Sequence, residues 1–173
     1  MAGTYAGPLP GSYWVQEASS LAGRLLAGPY PGSPVPESMQ ARLRALLDAG
    51  VTCFVDLTQG HEREPYGPLL PEGVQYRRFP IPDFTVPPDE QMMELLDTLD
   101  HLLAEGHTVY LHCWGGVGRT GTTVGCFWVR HGMPGLEALE EIARRRQHDD
   151  SPDTDEQRQM IIRWNDVEEK HRS

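Results

Sequence analysis

Apolar residues recur along this chain in two modes, short unbroken runs and stripes spaced three or four residues apart. These are the marks of buried strands and of amphipathic helices respectively. The runs are YWV from Tyr13, LLAG from Leu25, VTCFVDL from Val51 and TVYLHC from Thr108, while VQYRRF from Val74 alternates like a strand nearer an edge. A first helix is predicted from Pro36, with Met39, Leu43, Leu46 and Leu47 on its apolar face and Gly50 suited to its end. A second spans about 89–105, striped by Met92, Met93, Leu95, Leu96, Leu99, Leu102 and Leu103, and Gly106 stops it. Three more are predicted over about 119–131, 135–146 and 154–170. Between them, 58–73 reads as a loop containing HERE, and PIPDFTVPP holds too many prolines for regular structure and is expected as an exposed, stiffened loop.

Strands that alternate with helices predict an α/β fold, with a central, largely parallel sheet flanked by helices. No repeat or linker divides the chain, so 13–173 is expected as one domain. The Gly/Pro-rich residues 1–12 are expected as a flexible N-terminal segment. VYLHCWGGVGRTGTTVG, from Val109, then falls between a central strand and a helix, at the carboxyl end where such sheets place ligands.

The 173 residues carry a formal net charge of −10, with 39% hydrophobic and 23% charged residues. That charge argues against nucleic acid and anionic lipid as partners, which need a basic field. The start has neither a basic nor an apolar leader region, and no apolar run approaches the roughly 18 residues of a membrane span. Cys53, Cys113 and Cys126 are an odd, sparse set without C-x-x-C, so neither a disulfide framework nor a thiolate zinc site is expected. A monomer in a reducing cytoplasm, without metal or cofactor, is the resulting expectation.

The glycine-rich stretch admits two readings. Gly116, Gly118 and Gly121 form G-x-G-x-x-G, a dinucleotide fingerprint in the right context. That context fails here, because Glu141, near the required distance, lies in a charged helical segment and no further strand follows. A phosphate loop of the lysine type fails too, since Arg119 stands where lysine should. The other reading is a cysteine five residues ahead of an arginine. A thiolate is the reactive form, and strand-end placement before a helix N-terminus stabilises it. Backbone amides of 114–119 can turn inward onto the thiolate and then onto a phosphate, with Gly115, Gly116 and Gly118 permitting the tight turn. Arg119 offers a planar fork to two phosphate oxygens, and the Thr120 hydroxyl could hydrogen-bond the departing sulfur.

HCWGGVGRTG, from His112, resembles the H-C-x5-R-[ST]-G signature of the protein tyrosine phosphatase superfamily, in its small dual-specificity branch. The likeness extends upstream through YWV, RLLAGPYPG and VDLT and leaves out the first dozen residues. It implies phosphomonoester hydrolysis through a cysteinyl-phosphate on Cys113, with Trp114, Gly115, Gly116, Val117, Gly118 and Arg119 around the phosphate. Trp114 and Val117 are expected at the rim or floor, and His112 holds the loop and tunes the thiolate without touching substrate. The leaving oxygen needs a proton donor. Asp83, in the proline-stiffened loop, is the candidate and resembles the family's mobile acid, although aspartate often only stabilises a turn. Thr154 and Gln157 form a capping box, and the segment also resembles one whose glutamine helps orient water. Cys53 and Cys126 read as inert packing, and Arg144 to Arg146 as a solvated helix end.

The substrate expected is phosphotyrosine or phosphoserine/threonine in protein. The loop lacks the lysines that inositol-lipid branches often carry there. A phosphatase for phosphoinositides or another small ester is the alternative, followed by a phosphate-binding module without catalysis. An arsenate-reducing thiol enzyme fits poorly, because that variant has its cysteine near the N-terminus.

Overall fold

The continuous apolar runs become strands buried on both faces, as parallel strands under helices must be. The computed structural model describes residues 5–16 and 22–173. Its strands are β1 (Tyr13–Gln16), β2 (Arg24–Gly28), β3 (Cys53–Asp56), β4 (Gln75–Arg78) and β5 (Thr108–His112). They form one sheet in the order β1-β2-β5-β3-β4. β2, β5, β3 and β4 run parallel, and β1 joins β2 antiparallel at one edge. This is the α/β, mostly parallel architecture that the alternation of runs and stripes implies.

The helices are α1 (Pro36–Asp48), α2 (Asp89–Ala104), α3 (Arg119–Arg130), α4 (Gly135–Arg146) and α5 (Asp155–Arg172). Side chains alternate between two cores along each central strand. Leu26, Phe54 and Tyr110 point into one core with Met39, Leu43 and Leu46 of α1. Leu25, Ala27, Cys53, Val55, Val109 and Leu111 point into the other, with α2 to α5. α3 is buried from Arg119 through Val129, sandwiched between the sheet and the outer helices. No helix among the described residues is long and apolar enough to cross a membrane.

Two segments differ from the pattern-based expectation. Residues 1–4 lie outside the described residues, but 5–12, expected to be loose, fold back on β1. Ala6 bridges Tyr13, Leu9 is buried, and the Ser12 hydroxyl donates to Leu9 O while accepting from Leu9 N. Glycine and proline in such a stretch make a tight turn rather than a free tail once one apolar side chain anchors it. Of the arginines ending α4, Arg144 is solvated as expected, 67% exposed, but Arg145 and Arg146 are not. Arg145 stacks on Tyr5 and Trp128 and donates to Trp14 O and Val15 O, and Arg146 is only 9% exposed.

Candidate active site

β5 ends at His112, and α3 begins at Arg119, so the loop 113–118 sits at the carboxyl edge of the central strand. Its carbonyls are held from outside. His112 Nδ1 lies 3.2 Å from Cys113 O, Tyr30 N donates to Trp114 O at 3.1 Å, and Arg146 Nη1 reaches Gly116 O at 3.5 Å. Ser151 Oγ donates to Val117 O at 2.6 Å, and the Thr122 hydroxyl and amide both donate to Gly118 O. Among the described residues, no amide from Trp114 to Gly118 donates to a protein acceptor. Carbonyls out and amides spare is the polarity of an anion cradle. Gly116 adopts φ +75, and a Cβ there would lie 2.6 Å from the backbone of Gly28, so β2 closes the back of the loop.

Arg119 has a fully buried side chain. Its outer edge is taken by Glu62, with Nη1 to Oε2 at 2.8 Å and Nη2 to Oε1 at 2.9 Å, and Nη1 also donates to Ile81 O. Nε is buried without a partner, and Nη2 also lies 3.3 Å from Asp83 Oδ1. Burial opposes the Arg119 cation, but its hydrogen bonds and charge contacts with Glu62 outweigh that and hold its pKa above the usual value. Glu62 is held low: burial would raise it, and the Arg119 hydrogen bonds prevail. Thr120 also has a buried hydroxyl without a partner.

The proline-rich segment brings Asp83 to this centre. Thr85 N and Oγ1 both bond Pro82 O, making a tight turn across Asp83 and Phe84. Asp83 Oδ1 accepts from Phe84 N at 2.9 Å and lies 3.3 Å from Arg119 Nη2. Phe84 sits at φ +62, an arrangement costing on the order of 1 kcal/mol for a side chain of this size, and its ring is 60% exposed. Asp83 therefore both stabilises the turn and faces the arginine.

His112 is fully buried. Tyr66 Oη lies 2.5 Å from Nε2, and Asp56 Oδ1 lies 3.9 Å from Nδ1. Burial pulls the imidazole down to about 4, against the pull of the Asp56 charge, so it is neutral at pH 7. The tautomer assigned by these partners donates from Nδ1 to Cys113 O and accepts the Tyr66 hydroxyl at Nε2. An unfolded His112 binds a proton near pH 6.5 and the folded one does not until about pH 4. The unfolded state thus carries the extra proton in that window, and stability falls as pH falls through it. Urea unfolding at pH 6.5 and pH 5 is expected to differ by about 1–2 kcal/mol, with the difference reduced in His112→Asn.

The remaining residues named from the sequence take different places. Gln157 completes the capping box with Thr154. Its Oε1 accepts from Asp153 N and Thr154 N, and Nε2 donates to Thr85 O at 3.3 Å. It ties α5 to the Asp83 loop, and Nε2 comes within 3.1 Å of where a Cβ on Gly118 would stand. Cys53 and Cys126 are free and buried, and burial pushes both thiols up, Cys53 to about 11.

A pocket of about 190 Å³ opens over the loop. Cys113, Trp114, Gly115, Val117 and Gly118 form one wall, Asp83 and Phe84 a second, and Asp153 stands at the third. Gly116 lies behind it. Local pattern marks Glu62, in HERE, only as a loop residue and Asp153 only as the neighbour of a helix cap, and it carries no sign that either meets residue 118 or 119.

A family model described as "Tc-R-P: Polymorphic toxin system, DSP-PTPase phosphatase" matches residues 32–133. A protein of Invertebrate iridescent virus 3 named as a tyrosine phosphatase is 33% identical over 118 residues, 65% of this chain and 45% of the relative. A tyrosine-protein phosphatase of Autographa californica nuclear polyhedrosis virus is 28% identical over 102 residues, 57% of this chain and 60% of the relative. The chain thus spans roughly half the length of these relatives. Among solved structures, Tk-PTP in the active form is 25% identical with a TM-score of 0.70, covering 91% of this chain and 97% of that one. The family match takes in the Asp83 loop, the cysteine and the arginine, and covers more than half of the sequence. The chain belongs to the DSP-PTPase phosphatases described from polymorphic toxin systems, small dual-specificity members of the protein tyrosine phosphatase superfamily.

Proposed function

We propose that the chain hydrolyses phosphomonoesters through a cysteinyl-phosphate on Cys113. The observation that carries this is the loop's polarity, with five carbonyls tied outward and the amides from Trp114 to Gly118 left without protein acceptors around a strand-end cysteine. The thiolate attacks phosphorus in line. The amides and Arg119 hold the three equatorial oxygens, where the charge is preorganised and stays fixed. Asp83, beside Arg119, protonates the leaving oxygen and then serves as base for the water that cleaves the S–P bond. The unpartnered Thr120 hydroxyl is assigned to hydrogen-bond the sulfur as it leaves. Gln157 acts on the Asp83 loop by holding Thr85, and His112 keeps the Cys113 carbonyl turned out. The tyrosine phosphatase names of the viral relatives favour phosphotyrosine or phosphoserine/threonine in protein as substrate. A nucleophilic thiol suits a reducing compartment, and we infer the cytoplasm.

The test is hydrolysis of dinitrophenyl phosphate, whose leaving group needs no proton, and of an alkyl phosphate, with a chelator throughout. Turnover by the wild type is expected to survive chelation. Asp83→Ala is expected to lose about 10²- to 10³-fold in kcat on the alkyl ester and less on an ester whose leaving group needs no proton. Equal losses on both would remove Asp83 from the acid role. Failure of the wild type to turn over any ester, with phosphate still shielding Cys113 from alkylation, would leave a binding module.

A further inference from the structure

Asp153 is an unexpected carboxylate at the wall of a phosphate pocket. It stands just before the Thr154 cap of α5, with its backbone amide fixed by Gln157 Oε1 at 3.0 Å. Its carboxylate lies where a Cβ on Gly118 would be, so the loop's glycine is what admits it. No donor among the described residues hydrogen-bonds that carboxylate. Arg146 Nη2 pairs instead with Asp150 at 3.1 Å, and Arg119 turns its outer edge to Glu62. Asp83 faces Asp153 across the pocket. Burial and the charges of Asp83 and Asp150 raise its proton affinity and outweigh the opposing charges of Arg146 and Arg119. A rim cation, Arg63, is turned aside onto the rings of Trp114 and Tyr30, 5.1 and 5.6 Å away.

We infer that Asp153 is a specificity-determining residue that makes the pocket reject phosphate groups bearing a second phosphate nearby and accept isolated monoesters. This rests on the function proposed above. The cradle's amides and Arg119 neutralise one phosphate. A second phosphate on the leaving side projects past that cradle toward Asp153, whose carboxylate has no hydrogen-bond donor among the described residues, whereas Asp83 opposite is paired with Arg119 at 3.3 Å. An aryl or alkyl side chain there meets Phe84 and Trp114 instead, the exposed rings of the same mouth.

The experiment measures protection of Cys113 from iodoacetamide by inorganic phosphate and by pyrophosphate, in the wild type, Asp153→Asn and Asp153→Glu. It reads binding and so stands even if turnover fails. In the wild type phosphate is expected to protect at a concentration at least about tenfold lower than pyrophosphate. Asp153→Asn is expected to shrink that ratio about tenfold, and 0.5 M salt to shrink it in the wild type, about as for any screened repulsion. Asp153→Glu should keep most of it, which separates charge from damage to the α5 cap. The same ratio in wild type and Asp153→Asn would overturn the inference, as would a loss of discrimination in Asp153→Glu equal to that in Asp153→Asn. Where turnover is present, kcat/KM for inositol hexakisphosphate relative to phenyl phosphate should rise in Asp153→Asn, and a fall would count against it.

Discussion

Cys113→Ser is expected to lower phenyl phosphate turnover by on the order of 10⁴-fold or more while leaving phosphate binding nearly intact. The reason lies in how the loop is built. A thiol gives up its proton far more readily than a hydroxyl, and the loop's spare amides and the helix start at Arg119 receive the phosphate's negative charge without removing a serine's proton. A serine therefore offers a hydroxyl to phosphorus, and no neighbour is placed to take its proton. His112 is spent on Cys113 O and Tyr66, and Asp83 lies on the leaving-group side against Arg119. The binding groups, in contrast, are all outside the substituted atom. Titration calorimetry with inorganic phosphate, set beside steady-state rates, separates the two effects. Serine retaining more than about 1% of the rate would mean that Cys113 is not the nucleophile, and the covalent mechanism would go with it.

Arg119→Lys is expected to lower kcat/KM about 10³-fold and to cost about 1–3 kcal/mol of stability, although charge is conserved. The guanidinium does two jobs at once. One edge saturates Glu62 and Ile81 O, and the other edge faces the loop with Nε unpaired. An ammonium is a single point and can serve only one of these. If it pairs with Glu62, the phosphate loses its fork; if it turns to the phosphate, Glu62 keeps a charge, 14% exposed, without its partner. Glu62→Gln in the same background tests the division of labour. It should restore part of the stability lost in Arg119→Lys and little of the rate. Recovery of the rate would mean that Glu62 competes with substrate for the arginine.

The elements and the nucleophile were legible because both are local in sequence. Unbroken apolar runs over Cys53–Asp56 and Thr108–His112 leave little choice but a strand covered on two faces. The spacing of Cys113 and Arg119 across glycines then fixes which loop binds the anion. The remainder depends on distant pairings. Glu62 meets Arg119 across 57 positions, and Ser151 meets Val117 across 34, both from irregular segments with no periodicity to read. Strand order is equally hidden, since placing β5 between β2 and β3 requires knowing which face each helix covers. Residues 5–12 were misjudged because composition registers the glycines and prolines but not the one leucine that pins the turn. Gln157 shows a third kind of difficulty. Its capping role was visible in T-x-x-Q, and its hold on Thr85 was not.

The way the loop carbonyls are tethered has a consequence for the order of folding. Tyr30 follows β2, Ser151 precedes α5, Arg146 ends α4, and Gly28, at the end of the neighbouring strand β2, backs Gly116. These anchors come from early and late parts of the polypeptide, and contacts so far apart in sequence are slow to form. The anion cradle is therefore among the last features to assemble. A chain still emerging, or lacking α5, holds Cys113 on a loop without these anchors, so the phosphate cradle is expected only once the whole domain is complete.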